Sequence, residues 1–278
     1  MKIYKVPPHI AVEYDNRLYL IGGKDWDFLL NCDNLFEAMK TRIDHLEKYY
    51  PLDYLTTRKV AAPIGNQEIW ASGVTYLRSR DARMEESQVA GGDSFYDKVY
   101  VADRPELFFK ASAHRTVGTN AAVRIRKDST WNVPEPELTL FINKNGKIQG
   151  YTIGNDMSSR SIEGENPLYL PQAKTYDGCA ALGPCIYVPE TPLSPDTEIH
   201  IKIYRKKELI FNGEIFIDRM KRTHEELVGY LFRECSFPNG CFLMTGTGIV
   251  PPNDFTLQSK DRIDITIEPI GTLSNWVE

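Results

Sequence analysis

Hydrophobic and polar residues recur with a helical period in the first part of the chain. After a strand-like run at residues 17–23, apolar positions follow one another mostly at intervals of three and four: Leu35, Phe36, Met39, Ile43 and Leu46. This spacing is typical of one face of an amphipathic helix. Asn34 followed by Glu37 resembles a capping box at the start of that helix. The pattern predicts a small N-terminal α/β domain over residues 1–62.

From residue 63 onward, the pattern changes to short runs that are typical of β-strands. The runs are "EIWASGVTYL", "ELFFKAS", "ELTLFIN", "KIQGYTIG", "CIYV", "EIHIKIYR", "ELIFNGEIF" and "RIDITIEPIG". One clear helix is expected among them, "HEELVGYLFREC", with a capping box formed by Thr223 and Glu226. Many strands with few helices predict an α+β chain whose larger domain, residues 63–278, is a β-rich roll or sandwich.

Composition narrows the classes of partner and compartment. The chain has 278 residues and a net charge of −5 at neutral pH, which gives no sign of a nucleic-acid partner. No apolar run approaches the roughly 20 residues that span a membrane, and the first residues lack the apolar stretch of a signal peptide. The five cysteines form no CxxC pair, so zinc or disulfide chemistry is not indicated. We therefore expect a cytoplasmic protein that binds neither nucleic acid nor membrane.

The stretch "EPELTLFINKNGKIQGYTIGND" carries three closely spaced carboxylates. Its "NG" favours a two-residue hairpin turn. Such a loop pairs Glu135 with Asp156 and Glu137 with Gly154. Because side chains alternate along a strand, the two glutamates share a face, and directly paired Cβ atoms lie about 4.5–5.5 Å apart. We therefore expect the three carboxylates to converge on one patch.

Like charges that face one another across a sheet are destabilising, so something should compensate for them. A hard divalent cation does so, and all-oxygen ligands favour Mg²⁺, Mn²⁺ or Ca²⁺ over zinc. The alternative is a solvated acidic face, the usual place of a lone Glu-x-Glu on a strand. Pro134 and Pro136 favour an edge or distorted strand, where sites are common. The residues alone leave both interpretations open.

Several motifs, in this order, resemble those of the fumarylacetoacetate hydrolase family: "EPELTLF", "GYTIGNDMSSRS", "AKTYDGCAALGP", "LMTGTGIV" and "RIDITIEPIGTLSNWV". The resemblance covers residues 68–278 and implies a mixed β-roll catalytic domain that holds a divalent cation, usually Mg²⁺. Carried over by motif, the metal ligands are Glu135, Glu137 and Asp156. Members of the family assemble through this domain, which implies a homodimer or a homotetramer.

Three further stretches, "RPELFFKAS", "WNVPEPEL" and "ENPLYLPQAKTYDGC", are similar to one group of that family, the dehydratases of 2-keto-3-deoxy sugar acids. The similarity implies a 2-keto acid substrate of the 2-keto-3-deoxy-D-arabinonate type, which loses water to give 2,5-dioxopentanoate. It also implies that Lys174 and Glu106 divide the acid/base work, and that Thr247 lies near the bound acid. By residue type alone, Lys174 is an ordinary snorkelling lysine and Glu106 a carboxylate at a strand edge.

The family's hydrolases and decarboxylases carry a lid written N-Y-x-x-H-x-x-E, and this chain departs from it. Ser79 stands at the His position and Ala82 at the Glu position, so the pair that would activate water is missing. Tyr76, Ser79 and Arg80 of this segment are candidates for substrate contacts. The departure favours dehydration over the alternative reaction, C–C hydrolysis of a 2,4-diketo acid of the acylpyruvate type. A metal-dependent binding protein without turnover is a further alternative.

Overall fold

The computed structural model describes residues 1–22, 25–87 and 93–278. For residues 86–87 and 93–96 it describes the backbone. Helices and strands are mixed along the chain, which confirms the predicted α+β class. The helices are α1 (Trp26–Leu30), α2 (Leu35–Asp44), α3 (Leu77–Ser87), α4 (Asp93–Val101), α5 (Arg160–Glu165), α6 (Leu170–Lys174) and α7 (His224–Leu231). Short 3₁₀ helices lie at Leu52–Thr57, Ala113–Arg115, Pro167–Tyr169 and Ile217–Arg219.

The strands fall into two groups along the chain. Those of the first two hundred residues are β1 (Lys2–Val6), β2 (His9–Tyr14), β3 (Arg17–Gly22), β4 (Glu68–Gly73), β5 (Glu106–Ser112), β6 (Thr116–Val117), β7 (Ala121–Val123), β8 (Asn132–Ile142), β9 (Ile148–Ser159) and β10 (Ala180–Tyr187). The later ones are β11 (Glu198–Arg205), β12 (Glu208–Phe216), β13 (Cys241–Met244), β14 (Arg262–Ile267) and β15 (Gly271–Val277).

Most of these strands join one large sheet. Its order is β3-β2-β1-β10-β9-β8-β13-β4-β5, and β6 pairs with β10 beside this path. The N-terminal strands therefore continue the sheet of the larger domain, through the pair that joins Lys2 of β1 to Tyr187 of β10. The ladder crosses from one predicted domain to the other. The division into residues 1–62 and 63–278 stays a prediction.

A smaller sheet, in the order β12-β11-β14-β15-β7, packs on one face of the large sheet. Leu138 and Leu140 of β8 share a buried cluster with Ile265 of β14. Phe141, one position further along, belongs to a second cluster, which it shares with Met39 of α2. The alternation of side chains along β8 thus supplies two hydrophobic cores, one on each face of the sheet.

The turn between β8 and β9 differs from the predicted one. Asn143 N donates to Lys147 O at 3.0 Å, which encloses a loop of three residues instead of two. The side-chain oxygen of Asn143 accepts from Asn145 N and Lys147 N, at 3.0 Å each. Gly146 supplies the positive φ, 71°, at the last position of the loop. The expectation of a two-residue turn is therefore wrong.

A β-bulge in β9 cancels the shift that the longer loop introduces. Ile142 pairs with Ile148, but Phe141 pairs with Gly150, so Gln149 is the extra residue. Beyond the bulge, the pairs are those of the sequence-based register: Glu135 with Asp156 and Glu137 with Gly154. The predicted register at the carboxylates is confirmed, although two compensating irregularities produce it.

β8 is an interior strand for only part of its length. β13 pairs with residues 139–142 of β8 and ends at Met244. Pro134 and Pro136 lie in the part of β8 that extends past β13 and has β9 as its strand neighbour. The expectation of an edge strand is wrong for the strand as a whole but holds for this part, where proline is tolerated.

The helices were predicted less well than the strands. The run "EIWASGVTYL" was expected to be a strand throughout, but β4 ends at Gly73 and α3 begins at Leu77. Helix α7 is confirmed, and Thr223 Oγ1 accepts from Glu226 N at 3.1 Å. The capping box at Asn34 is wrong, because this residue is left-handed with φ of 54° and its side chain makes no capping bond. Among the described residues, no helix has the length and apolar character to span a membrane.

Candidate active site

Three carboxylates meet where β8 runs past the end of β13. Glu135 and Glu137 of β8 and Asp156 of β9 each offer an oxygen atom, and these atoms lie within 4.8 Å of one another. All three residues are buried. Gly154, opposite Glu137, leaves no room for a side chain, because a Cβ there would lie 2.3 Å from Thr139 Oγ1. We call these three residues the carboxylate trio.

Glu137 is the member of the trio whose charge is least compensated. Burial raises its pKa well above the ordinary value, and repulsion from Asp156 and Glu135 adds to the effect. Its carboxylate accepts a hydrogen bond from Gly246 N at 2.6 Å, at the point where the chain leaves β13. Burial and this repulsion therefore favour the protonated form of Glu137, and a cation bound to the trio would favour the ionised form.

Lys174, at the end of α6, lies directly against the trio. Its Nζ atom is 2.5 Å from Glu135 Oε2, 3.1 Å from Asp156 Oδ2 and 2.6 Å from Ser158 Oγ. Burial alone would lower the pKa of this lysine, but Asp156, Glu135 and Glu163 together raise it above its ordinary value. Lys174 is therefore a buried ammonium group beside the trio, and not the snorkelling lysine that its residue type suggests.

Lys110 is a second buried lysine at the site, and the sequence-based analysis did not identify it. Its Nζ atom lies 2.6 Å from Asp156 Oδ1 and donates to Met157 O at 2.9 Å. It also donates to the main-chain oxygen of Lys174. The register between β4 and β5 shifts at Lys110, since Ile69 pairs with Ala111 and Trp70 with Phe109. Bulges of this kind redirect a side chain beside active sites.

Two arginines hold the outer side of Glu135. Arg160 Nη2 donates to Glu135 Oε1 at 2.6 Å, and Arg83 Nη2 lies 3.8 Å from the same oxygen. Burial favours the neutral form of Glu135, but Lys174, Arg160 and Arg83 outweigh it and lower its pKa. Glu135 is therefore an ionised ligand candidate even without a bound ion.

Glu163 is a fourth buried carboxylate, which the sequence-based analysis also missed. Its Oε1 atom lies 3.0 Å from Arg83 Nη1 and 3.4 Å from Lys174 Nζ, while Oε2 lies 3.4 Å from Arg160 Nη1. Burial opposes its ionisation, but the charges of Arg83, Lys174 and Arg160 prevail and its pKa is lowered. The three-residue spacing of Arg160 and Glu163 places both on one face of α5, which is the sequence signal that could have found it.

Glu106 begins β5 and is partly buried. Its carboxylate lies over Gly73, where a Cβ would come within 2.1 Å of Glu106 Oε2. Burial raises the pKa of Glu106, although the nearby charges of Arg83 and Lys174 oppose the rise. This carboxyl group therefore exchanges a proton closer to neutral pH than an ordinary glutamate does.

The residues expected to contact substrate are placed differently from one another. Tyr76 is buried, and Ser79 Oγ donates to Tyr76 O at 2.7 Å, so this hydroxyl closes the first turn of α3. Arg80 pairs with Asp81 at 2.7 Å, whereas Arg83, one turn further along, reaches the buried carboxylates. Thr247 is buried, and its Oγ1 atom accepts from the main-chain N–H of Ile249 at 3.1 Å. The substrate-binding roles of Tyr76, Ser79, Arg80 and Thr247 stay predictions.

A divalent cation fits the carboxylate trio. The donor atoms are all carboxylate oxygens, which suit Mg²⁺. The pKa of Glu137 is raised by burial and by the neighbouring carboxylates, and the charge of Lys174 does not offset these effects. A dication bound by Glu135, Glu137 and Asp156 would remove the repulsion among them.

Known proteins are similar to this chain in sequence and in architecture. The family described as "Fumarylacetoacetate (FAA) hydrolase C-terminal" matches residues 69–278. A "Probable 2-keto-3-deoxyxylonate dehydratase" of Haloferax volcanii is 50% identical over 226 residues, which are 81% of this chain and 77% of that protein. A "2-dehydro-3-deoxy-D-arabinonate dehydratase" of Saccharolobus solfataricus is 45% identical over 218 residues, covering 77% of this chain and 73% of that protein.

A solved structure shares the whole architecture. It is described as "2-keto-3-deoxy-D-arabinonate dehydratase complexed with magnesium and 2,5-dioxopentanoate", and it matches with a TM-score of 0.82 and 34% identity. The match covers 100% of this chain and 99% of that one. The family resemblance that the motifs indicated is thus confirmed over both sequence and fold: the chain belongs to the fumarylacetoacetate hydrolase family.

Proposed function

We propose that the chain is a Mg²⁺-dependent dehydratase of a 2-keto-3-deoxy sugar acid. The substrate is of the 2-keto-3-deoxy-D-arabinonate type, and the product is 2,5-dioxopentanoate. The relatives at 50% and 45% identity carry dehydratase names, and a solved structure with a TM-score of 0.82 holds magnesium and this product. These similarities support the reaction class and the metal together.

The observation that carries the proposal is an acid/base pair without a water-activating pair. Lys174 lies against the carboxylate trio. Glu106 lies near enough to Lys174 to feel its charge, and its pKa is raised. Ser79 uses its hydroxyl within the first turn of α3, and Ala82 is buried and has no polar side chain. Hydrolysis needs a base that activates water, and positions 79 and 82, where the family's hydrolases carry the water-activating pair, do not supply one. Elimination needs only groups that move protons to and from the substrate.

Glu135, Glu137 and Asp156 hold the metal ion in this proposal. When bound there, Mg²⁺ supplies Lewis acidity towards the carboxylate and keto oxygens of a 2-keto acid, which stabilises negative charge as a C3 proton leaves. Lys110 fixes Asp156 from the outer side, and Arg160 does the same for Glu135. The chain thus holds two of the three ligands in place from behind.

The proton transfers fall to two side chains. Glu106 takes a proton from C3, since its raised pKa makes it a stronger base than an ordinary glutamate. Lys174 donates a proton to the C4 hydroxyl, which leaves as water. The resulting C3–C4 double bond is conjugated with the keto group. To reach the C5 aldehyde, a proton must then leave C5 and another must return to C3, after which the C4–C5 enol gains a proton at C4 and loses the proton of its hydroxyl group. The same two residues serve both steps.

The test is a substrate panel with purified protein and Mg²⁺. We expect 2-keto-3-deoxy-D-arabinonate or its enantiomer, which differs from it at C4, to yield an aldehyde product. The aldehyde is trapped as a hydrazone and identified by mass spectrometry, and its rate of appearance is compared for the two acids. Excess chelator should abolish turnover, and Mg²⁺ should restore it. An acylpyruvate serves as the matched alternative. Cleavage of the acylpyruvate without loss of water from either sugar acid would overturn the proposal in favour of hydrolysis.

We also propose that the chain forms a homodimer or homotetramer and works in the cytoplasm. Apolar side chains on the smaller sheet support the assembly, since Leu209, Ile210 and Phe216 of β12 and Trp276 of β15 are exposed. Light scattering coupled to gel filtration measures the assembled mass. A particle of 31.8 kDa at micromolar concentration would contradict the oligomer.

A further inference from the structure

Lys174 contacts two sets of oxygen atoms, one that a bound metal ion would take as ligands and one that it would leave free. Two of them, Glu135 Oε2 and Asp156 Oδ2, belong to the carboxylate trio. The other two, Ser158 Oγ at 2.6 Å and Glu163 Oε1 at 3.4 Å, lie outside it. Without an ion, the ammonium group is closest to Glu135 and therefore takes part of the place that a cation would fill.

A divalent ion and an ammonium group cannot share the trio's oxygens without strong repulsion. Both carry positive charge, and the site is buried, so the interaction is weakly screened. Lys174 is the residue that must yield, because its four-carbon stem lets the Nζ atom move. Its position after it yields depends on the acceptors that remain, namely Ser158 and Glu163.

Glu163 is built to receive this charge. It is buried, and two guanidinium groups, Arg83 of α3 and Arg160 of α5, hold its two oxygens in place. The carboxylate therefore cannot follow Lys174 towards the trio, and it presents a fixed oxygen on that side. A flexible, solvated glutamate would offer no such fixed acceptor.

Resting on the proposed metal-dependent function, we infer that Glu163 is a positioning residue that retains the Lys174 ammonium when a divalent cation occupies the trio. The lysine then stays beside the ion, where it can donate to the leaving hydroxyl, instead of competing for the ligands. Among the ion pairs that the structure describes for Lys174, loss of Glu163 leaves those with the trio, so metal affinity should fall because Lys174 competes.

The test is a double-mutant cycle in metal affinity, without any substrate. The proteins are wild type, Glu163→Gln, Lys174→Met and the double variant, and the probe is Mn²⁺, whose free ion is counted by electron paramagnetic resonance. We expect Glu163→Gln to weaken Mn²⁺ binding about tenfold when Lys174 is present, and about threefold or less in the Lys174→Met background, a coupling of the size found for contacting charged groups. Glu165→Gln, on the exposed side of α5, removes the same charge as a control and should leave the affinity unchanged.

Equal weakening in both backgrounds would overturn the inference, since Glu163 would then act only through its general negative charge. An unchanged affinity in Glu163→Gln would also overturn it. Glu163→Asp retains the charge and should restore affinity to within about threefold of wild type, which gives a readout if the Gln variant folds poorly. A wild-type chain that binds Mn²⁺ but turns over no sugar acid would contradict the proposed substrate without contradicting this inference. A chain that binds no Mn²⁺ would sink both.

Discussion

Lys110 Nζ lies 2.6 Å from Asp156 Oδ1, and both side chains are fully buried. The same ammonium also donates to the main-chain oxygens of Met157 and Lys174. One cation therefore joins β5, a metal-ligand candidate and the end of α6, which carries the proposed acid. A buried charge that is satisfied on all sides is expensive to remove, because its partners are left without compensation.

Lys110→Met should destabilise the chain by about 3–5 kcal/mol, the cost of breaking a buried ion pair on one side. Urea unfolding in the presence of chelator measures the free energy of unfolding. Lys144→Met replaces an exposed lysine in the β8–β9 loop and is the matched control, with an expected change within about 0.5 kcal/mol. Equal effects of the two substitutions would show that the buried pair contributes nothing.

Glu137→Gln should remove a pH-dependent loss of stability from the metal-free chain. The folded-state pKa of Glu137 lies above the ordinary 4.5, so below that pH both states hold the proton and the group costs no stability. As pH rises through the folded-state pKa, the unfolded chain releases the proton more readily, and the folded state loses stability relative to the variant. Thermal unfolding from pH 4 to pH 8 with chelator, roughly the range over which a buried carboxyl titrates, measures this difference.

Added Mg²⁺ should reverse the order of thermal stability of the wild type and Glu137→Gln. It should raise the melting temperature of the wild type, because the ion binds the folded state alone, and should have little effect on Glu137→Gln. A parallel pH dependence in both metal-free proteins would contradict the assignment of the titration to Glu137.

Gly73→Ala should reduce turnover while the fold and the metal affinity are retained. The new Cβ would lie 2.1 Å from Glu106 Oε2, and this carboxylate is the mobile end of a side chain, so it moves while the backbone stays. Displacement of a reacting group by about 1 Å can cost about 10²-fold in rate. Steady-state kinetics and Mn²⁺ binding measure the two quantities. Gly229→Ala, in α7 with no atom within 4 Å of the new Cβ, is the control, and an equal kcat in both variants would contradict the prediction.

Lys174→Ala should lower kcat far more than it raises KM, since its proton transfer matters only in the transition state. General acid/base assistance is worth about 10²–10⁴-fold, and Glu106→Gln should show a loss of similar size. Metal content should stay near that of the wild type in both variants, whereas Glu137→Ala should lose the ion. A wild-type kcat in Lys174→Ala would transfer the proton step to another group.

The strand register was predictable because hairpin pairing is local. The "NG" signal and a two-residue loop placed Glu135 opposite Asp156, and the structure confirms this pair. The three-residue loop and the bulge at Gln149 were not predicted, since each depends on fine backbone geometry. The two shifts cancel, and this cancellation is the reason that a wrong turn led to the right pairing.

The residues that surround the trio were harder to predict because they come from distant parts of the chain. Lys110 of β5 meets Asp156 of β9 although these strands are not neighbours in the sheet order, and the bulge at Lys110 hides its direction from a simple alternation of faces. Arg83 and Glu163 meet across α3 and α5, and no local pattern specifies that contact. Family motifs supplied Lys174 and Glu106, which residue type alone would have left as ordinary surface groups.

β8 is longer than its neighbour β13. Because of this difference in length, the position of the trio and the choice of most residues around it depend on different parts of the fold. The trio stands on strands whose positions are fixed by the ladder of the large sheet. Of the residues beside it, Arg83, Arg160, Glu163 and Lys174 come from helices α3, α5 and α6, whereas Lys110 comes from β5 of the same sheet. Substitutions in these helices can therefore alter the shape and charge of the space above the trio while the ladder keeps its register. The same three carboxylates can in this way be combined with different neighbouring side chains, and the site can then bind different acids.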